Sequence, residues 1–122
     1  MKVLIIDDDE DSRSIARLSL ESLANATVIE ASGGQEGFDL AKIDKPDVIL
    51  LDLLMPNLDG RATFHLLRSN ANTATIPIIF LTIKGIFDEF DELKANSTVL
   101  VDLIVKPFDP TFLAQQIQRI LI

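Results

Sequence analysis

The chain has 122 residues, with 19 Asp and Glu against 11 Lys and Arg, a formal net charge of −8, and no Cys, Trp or Tyr. That length suits one domain with a full core, and 48% apolar with 25% charged residues is globular rather than disordered. The missing Cys excludes disulfides and thiolate metal sites, and the acid excess argues against gripping a nucleic-acid backbone.

Taken in chain order, short apolar runs alternate with longer amphipathic stretches. Val3-Leu4-Ile5-Ile6 is a continuous branched run, as expected of a parallel strand buried on both faces. Five consecutive acids follow, Asp7 to Asp11, and without them the chain carries only −3. Ile15, Leu18 and Leu23 recur at roughly helical spacing and predict the apolar face of a first helix. Thr27-Val28-Ile29-Glu30-Ala31 is a weaker strand, expected toward an edge. Ser32-Gly33 opens a second helix through Phe38, Ala41 and, less cleanly, Ile43, and Lys45-Pro46 stops it.

Val48-Ile49-Leu50-Leu51 reads as a third buried strand, followed at once by Asp52. Met55-Pro56 bends the chain and Asp59-Gly60 makes a turn before a helix through Phe64, Leu67 and Arg68. Ile78-Ile79-Phe80-Leu81 is a fourth strand, ending at Thr82, and Phe87, Phe90 and Leu93 mark another helix. Leu103-Ile104-Val105 is a fifth strand, ending at Lys106. Asp109-Pro110 places Pro in the first turn of a last helix through Phe112, Leu113, Ile117, Ile120 and Leu121. The expectation is a doubly wound (βα)5 α/β domain over residues 1–122, with right-handed crossovers and helices on both faces of a five-stranded parallel sheet. No apolar run reaches the ~18 residues of a membrane span, and no secretory signal pattern opens the chain, so a cytoplasmic protein is expected.

In such a sheet the C-terminal strand ends share one edge, where ligands bind. Asp7 and Asp8 follow strand one, Asp52 follows strand three, Thr82 ends strand four and Lys106 ends strand five. If strands one and three are neighbours, three carboxylates converge with a hydroxyl and an ammonium. Crowded carboxylates repel, and protonation or a bound cation relieves them. An all-oxygen, open site favours a hard ion such as Mg2+ over zinc. Asp9, Glu10 and Asp11 suit a helix N-terminus instead. The Asp7, Asp9 and Asp11 spacing of a calcium loop fails, because Ser12 stands at its glycine and Leu18 at its glutamate. Gly33-Gly34 fits no phosphate-binding fingerprint and reads as a strand-to-helix turn. His65, the only His, has no second His or Cys and no strand-end position, so it is not read as a ligand or phosphodonor.

Together, Val3-Leu4-Ile5-Ile6-Asp7-Asp8, Asp52-Leu53-Leu54-Met55-Pro56-Asn57-Leu58-Asp59-Gly60, Ile78-Ile79-Phe80-Leu81-Thr82 and Lys106-Pro107-Phe108 resemble a response-regulator receiver domain of two-component signalling, in register from residue 2 to about 121. The resemblance implies a flavodoxin-like strand order 2-1-3-4-5. It also implies Asp52 as phosphoacceptor, supplied by a histidine kinase or histidine phosphotransfer protein. Mg2+ would be held by Asp8, Asp52 and the Leu54 backbone carbonyl, with Asp7 acting mostly through water. Lys106 and Thr82 would contact phosphoryl oxygens, and movement of Thr82 would rearrange the region that follows. The implied role is a signalling module with self-phosphorylation and autodephosphorylation but no turnover activity, and no direct contact with nucleic acid or membrane.

Some residues depart from that family's pattern. Ile83 stands where a small residue usually follows the Thr, and is expected to slow small phosphodonors and hydrolysis alike. Leu103 replaces the usual Tyr or Phe of strand five, and Val99-Leu100-Val101 replaces a smaller pair, so a weaker or rerouted switch is expected over residues 84–103. Leu54 cannot orient an attacking water, while Lys84 could place positive charge near the phosphoryl group. Phe87 and Phe90 suit either an ordinary amphipathic helix or a partner-facing surface. One rival is a receiver-like interaction module whose output is independent of phosphorylation. Another, a haloacid-dehalogenase-type phosphatase, matches Asp7 and Asp9 but finds Asp11 at its Thr or Val position. The chain could be a complete single-domain regulator or a receiver cut from a larger protein, and the apolar ending Ile120-Leu121-Ile122 favours the latter or a docked terminus.

Overall fold

The computed structural model describes residues 1–83, 91, 94–95 and 101–121. Expectations for Lys84, Phe87, Phe90, Leu93, Val99-Leu100 and Ile122 lie outside the described residues. The strands are β1 (Lys2–Ile6), β2 (Thr27–Ala31), β3 (Val48–Asp52), β4 (Ile78–Ile83) and β5 (Val101–Lys106). Among the described residues four helices accompany them: α1 (Glu10–Leu23), α2 (Gly34–Asp44), α3 (Gly60–Arg68) and α4 (Leu113–Leu121). All strand pairs are parallel, in the order β2-β1-β3-β4-β5. The weak strand β2 is an edge, as its composition suggested.

Alternate side chains of each strand point to opposite faces, and this divides the core in two. Leu4, Ile6, Ile49, Leu51, Ile78 and Phe80 meet Phe38 and Ala41 of α2 and Phe64 and Leu67 of α3 on one face. Val3, Ile5, Val48, Leu50, Ile79 and Leu81 meet Ala16 and Leu20 of α1 and Leu113, Ala114 and Ile117 of α4 on the other. Helices on both faces bury β3 from end to end, which is why its sequence is an unbroken apolar run.

Two expectations are corrected. The face that α1 turns to the sheet is Ala16, Ser19 and Leu20, while Ile15, Leu18 and Leu23 are exposed, Leu18 to 65%. Successive residues on a helix are about 100° apart, so the 15/18 stripe and the 16/19/20 stripe cannot both face inward. The stripe with small residues allows close approach, and the Ser19 hydroxyl donates to the Pro110 carbonyl in the segment that leads into α4. Pro110 itself lies in a turn before α4, not in its first turn. Asp109 closes that turn, its carboxylate accepting from the Thr111 N–H at 2.9 Å and its carbonyl from the Phe112 N–H at 3.0 Å.

Candidate functional site at the strand ends

Parallel pairing brings the C-terminal ends of β1, β3, β4 and β5 to one edge, and β1 and β3 are neighbours. Asp7 and Asp8 leave β1 there, Asp52 ends β3, Thr82 lies one residue before the end of β4, and Lys106 ends β5. One carboxylate oxygen each from Asp7, Asp8 and Asp52 lies within 4.8 Å of the others. Asp7 and Asp52 are buried and Asp8 is exposed, so the cluster opens to solvent on one side. The Lys106 ammonium donates to Asp7 Oδ2 at 2.6 Å and reaches Asp52 Oδ2 at 3.5 Å.

The remaining oxygens are partly held by the backbone. Asp7 Oδ1 accepts from the Asp9 N–H at 3.0 Å, and Asp52 Oδ1 accepts from the Leu54 N–H at 3.1 Å. Burial pushes the Asp52 carboxyl up to about 7, and the neighbouring Asp7 adds to this, against the pull of Lys106 and the Leu54 N–H. Burial alone would lower the Lys106 ammonium, but Asp7 and Asp52 outweigh it and hold it above its usual value. One ammonium therefore incompletely offsets three carboxylates. The donor set is all oxygen, anionic and accessible from one side, which fits a hard divalent cation with retained waters.

Thr82 is fully buried, and its hydroxyl donates to the Ile83 carbonyl at 3.2 Å. Ile83, 50% exposed, stands on the rim. With Ser12, Ile15, Lys106, Pro107 and Phe108 it lines an open, mainly apolar cleft of about 240 Å3. The Leu54 side chain is half exposed at the same edge. Leu103 packs against the core on the α2–α3 face. His65 is exposed on α3, edge-on to Phe64, and takes no part in the cluster. Asp9 opens α1 by accepting the Asp11 N–H, with Glu10 and Asp11 in its first turn.

Two features were not legible as site residues. Asp59-Gly60 starts α3 rather than forming a free turn: Asp59 caps the helix by accepting the Ala62 N–H at 2.8 Å. Gly60 then sits so close to the end of β3 that an added Cβ would press on the Asp52 carbonyl oxygen and lie 2.5 Å from Leu53 Cα. The cap was readable in the Asp-Gly pair, whereas the approach to β3 is tertiary. The second is Arg13, whose guanidinium donates to the Asp7 carbonyl at 2.7 Å.

A family model described as the response regulator receiver domain matches residues 3–118. The chain is 37% identical over 120 residues to a probable transcriptional regulator, ycf27, of Guillardia theta, and 34% identical to the alkaline phosphatase synthesis transcriptional regulatory protein PhoP of Bacillus subtilis. Both matches cover 98% of this chain but 45% and 48% of the relatives, so the chain spans about half their length. Among solved structures, the chemotaxis protein CheY4 of Vibrio cholerae superposes with a TM-score of 0.87 at 28% identity, covering 98% of this chain and 97% of that one. A response regulator from Chloroflexus aurantiacus gives 0.83 at 30% identity, covering 98% and 96%.

Proposed function

This chain belongs to the response regulator receiver domain family of two-component signalling, and we propose that Asp52 is its phosphoacceptor. The observation that carries this is the Asp52 carboxylate at the end of β3, the central strand of the sheet, beside the Asp7 and Asp8 carboxylates and the Lys106 ammonium. The donor would be a phosphohistidine of a histidine kinase or phosphotransfer protein. An Asp52 carboxylate oxygen forms the new bond to phosphorus as the P–N bond breaks. The electron pair goes to the imidazole nitrogen, leaving an acyl phosphate on Asp52.

Such a transfer depends on alignment and on neutralising oxygen charge. Asp8, Asp52 and the Leu54 carbonyl would hold Mg2+, which when bound supplies positive charge to the phosphoryl oxygens. Asp7, already paired with Lys106, would act mostly through water. Lys106 needs only a small shift from Asp52 Oδ2 to meet a phosphoryl oxygen, since it is already held at 3.5 Å. Thr82 would exchange the Ile83 carbonyl for another phosphoryl oxygen and pull on the end of β4. The protein would act in the cytoplasm as a signalling module, with phosphorylation and self-catalysed hydrolysis but no turnover of other substrates.

Mass spectrometry after incubation with Mg2+ and acetyl phosphate tests the assignment. One labile phosphoryl adduct is expected on the wild type and none on Asp52→Ala; an adduct surviving in the variant would move the acceptor elsewhere. The rim residue Ile83 gives a separate prediction. Shortening it widens the apolar cleft beside Lys106, so Ile83→Ala should accelerate both acetyl phosphate labelling and adduct decay severalfold. Unchanged rates in both directions would remove Ile83 as a gate.

A further inference from the structure

We propose that Arg13 is a positioning residue for the cation site, setting the place of Asp8 by gripping the peptide that joins Asp7 to Asp8. This rests on the reading of the strand-end acids as a Mg2+ site. Arg13 lies in the first turn of α1, where a cation opposes the helix dipole, so local helix energetics do not explain it. Its partners do. The Nη1 group donates to the Asp7 carbonyl at 2.7 Å, while Nε faces Glu30 Oε1 of β2 at 3.3 Å. Glu30 is itself held through Oε2 by Arg17 at 2.7 Å, and Arg17 by Glu21 at 2.6 Å.

Asp7 is thus fixed on every side. Its N–H donates to the Ala31 carbonyl at 3.1 Å, its carbonyl accepts from Arg13, and its carboxylate meets Lys106 and the Asp9 N–H. Asp8 differs, because among the described residues no protein hydrogen bond holds its exposed carboxylate. Among those residues, its side chain is aimed by its backbone alone. The peptide unit is planar, so holding the Asp7 carbonyl also fixes the nitrogen and Cα of Asp8. A planar guanidinium can serve Glu30 and the carbonyl at once, which a single ammonium does less well.

Charge and position predict opposite signs, which makes the idea testable. Removing a cation beside an acidic cluster should, by charge alone, tighten binding of a divalent ion. Losing the grip on Asp8 should weaken it. Calorimetric titration with Mg2+ is expected to give Arg13→Ala a Kd about tenfold above wild type, in the range seen for lost outer partners of metal ligands. Arg13→Lys should fall between the two. Arg17→Ala removes the same charge but leaves the Asp7 carbonyl bond, and should bind no more weakly than wild type.

Unchanged or tighter binding by Arg13→Ala would overturn the proposal, as would equal weakening in Arg17→Ala. If Arg13→Ala does not melt cooperatively, Arg13→Lys decides the matter, and wild-type affinity there overturns the idea. A wild type that binds no Mg2+ would instead overturn the metal reading itself, and this inference with it.

Discussion

Asp52→Asn is expected to melt higher than wild type at pH 8 without divalent cations, and to lose that advantage as the pH falls toward 4. The cause is the buried carboxylate. Burial and the Asp7 carboxylate hold its proton up to a pH of about 7 in the native state, against about 3.9 for an unperturbed Asp. Between those values the native state binds more protons than the unfolded chain, so stability falls as pH rises through the window. Above pH 7 the full cost is present; below pH 4 both states are protonated and it vanishes. An Asn never ionises, yet its side-chain oxygen can still accept the Leu54 N–H. A rise of about 4 °C or more corresponds to roughly 1 kcal/mol for a chain of this size. Adding Mg2+ should stabilise wild type more than the variant, because binding to the native state raises its stability. Thermal melts at pH 4, 6 and 8, with and without Mg2+, read all of this. Coincident curves for the two proteins at every pH would show that Asp52 carries no ionisation cost.

Gly60→Ala is expected to lower the melting temperature by about 8 to 12 °C, the equivalent of roughly 2–3 kcal/mol. An alanine would ordinarily favour a helix over glycine, so the sign comes from packing alone. The new Cβ meets the Asp52 carbonyl and Leu53 Cα, which are backbone atoms that no rotamer change can clear. Either α3 moves off the end of β3 or the strand end is displaced, and the second moves Asp52. The Gly60 N–H bond to the Leu53 carbonyl, 3.1 Å long, is strained by either route. Gly33→Ala is the control, because nothing lies within 4 Å of its added Cβ. Equal melting of wild type and Gly60→Ala would show that the α3–β3 contact yields cheaply. A stable variant with slowed acetyl phosphate labelling would show that the strand end had moved.

Much of the fold was readable because strands covered on both faces must be apolar on both faces. That rule made residues 3–6, 48–51 and 78–81 into unbroken branched runs, and it left β2, with Glu30 and a lower apolar density, at an edge. The strand-end acids were readable for a related reason. Asp52 closes such a run as the last residue of β3 and so stands at the rim of the sheet.

The helices were less transparent. Ile15 and Leu18 looked like a core stripe, yet the sheet takes Ala16, Ser19 and Leu20. Hydropathy favours the larger residues, whereas close approach of α1 to the sheet and to α4 favours the smaller ones. Within the site, Asp7, Asp8, Asp52, Thr82 and Lys106 could be picked out one by one. Their separations, the Lys106 pairing with Asp7 and the raised Asp52 proton affinity depend on which strands are neighbours.

The five-stranded parallel plan and the residue types at its edge were already written in the chain, because burial and strand length are encoded locally in hydropathy. That Arg13, paired with Glu30 of β2, holds the Asp7 carbonyl, and that Gly60 lies against the backbone of Asp52, came from the packing of the whole chain. Those contacts join separate elements brought together by the register of the sheet and the seating of the helices on it, and no local pattern of residues encodes such distances.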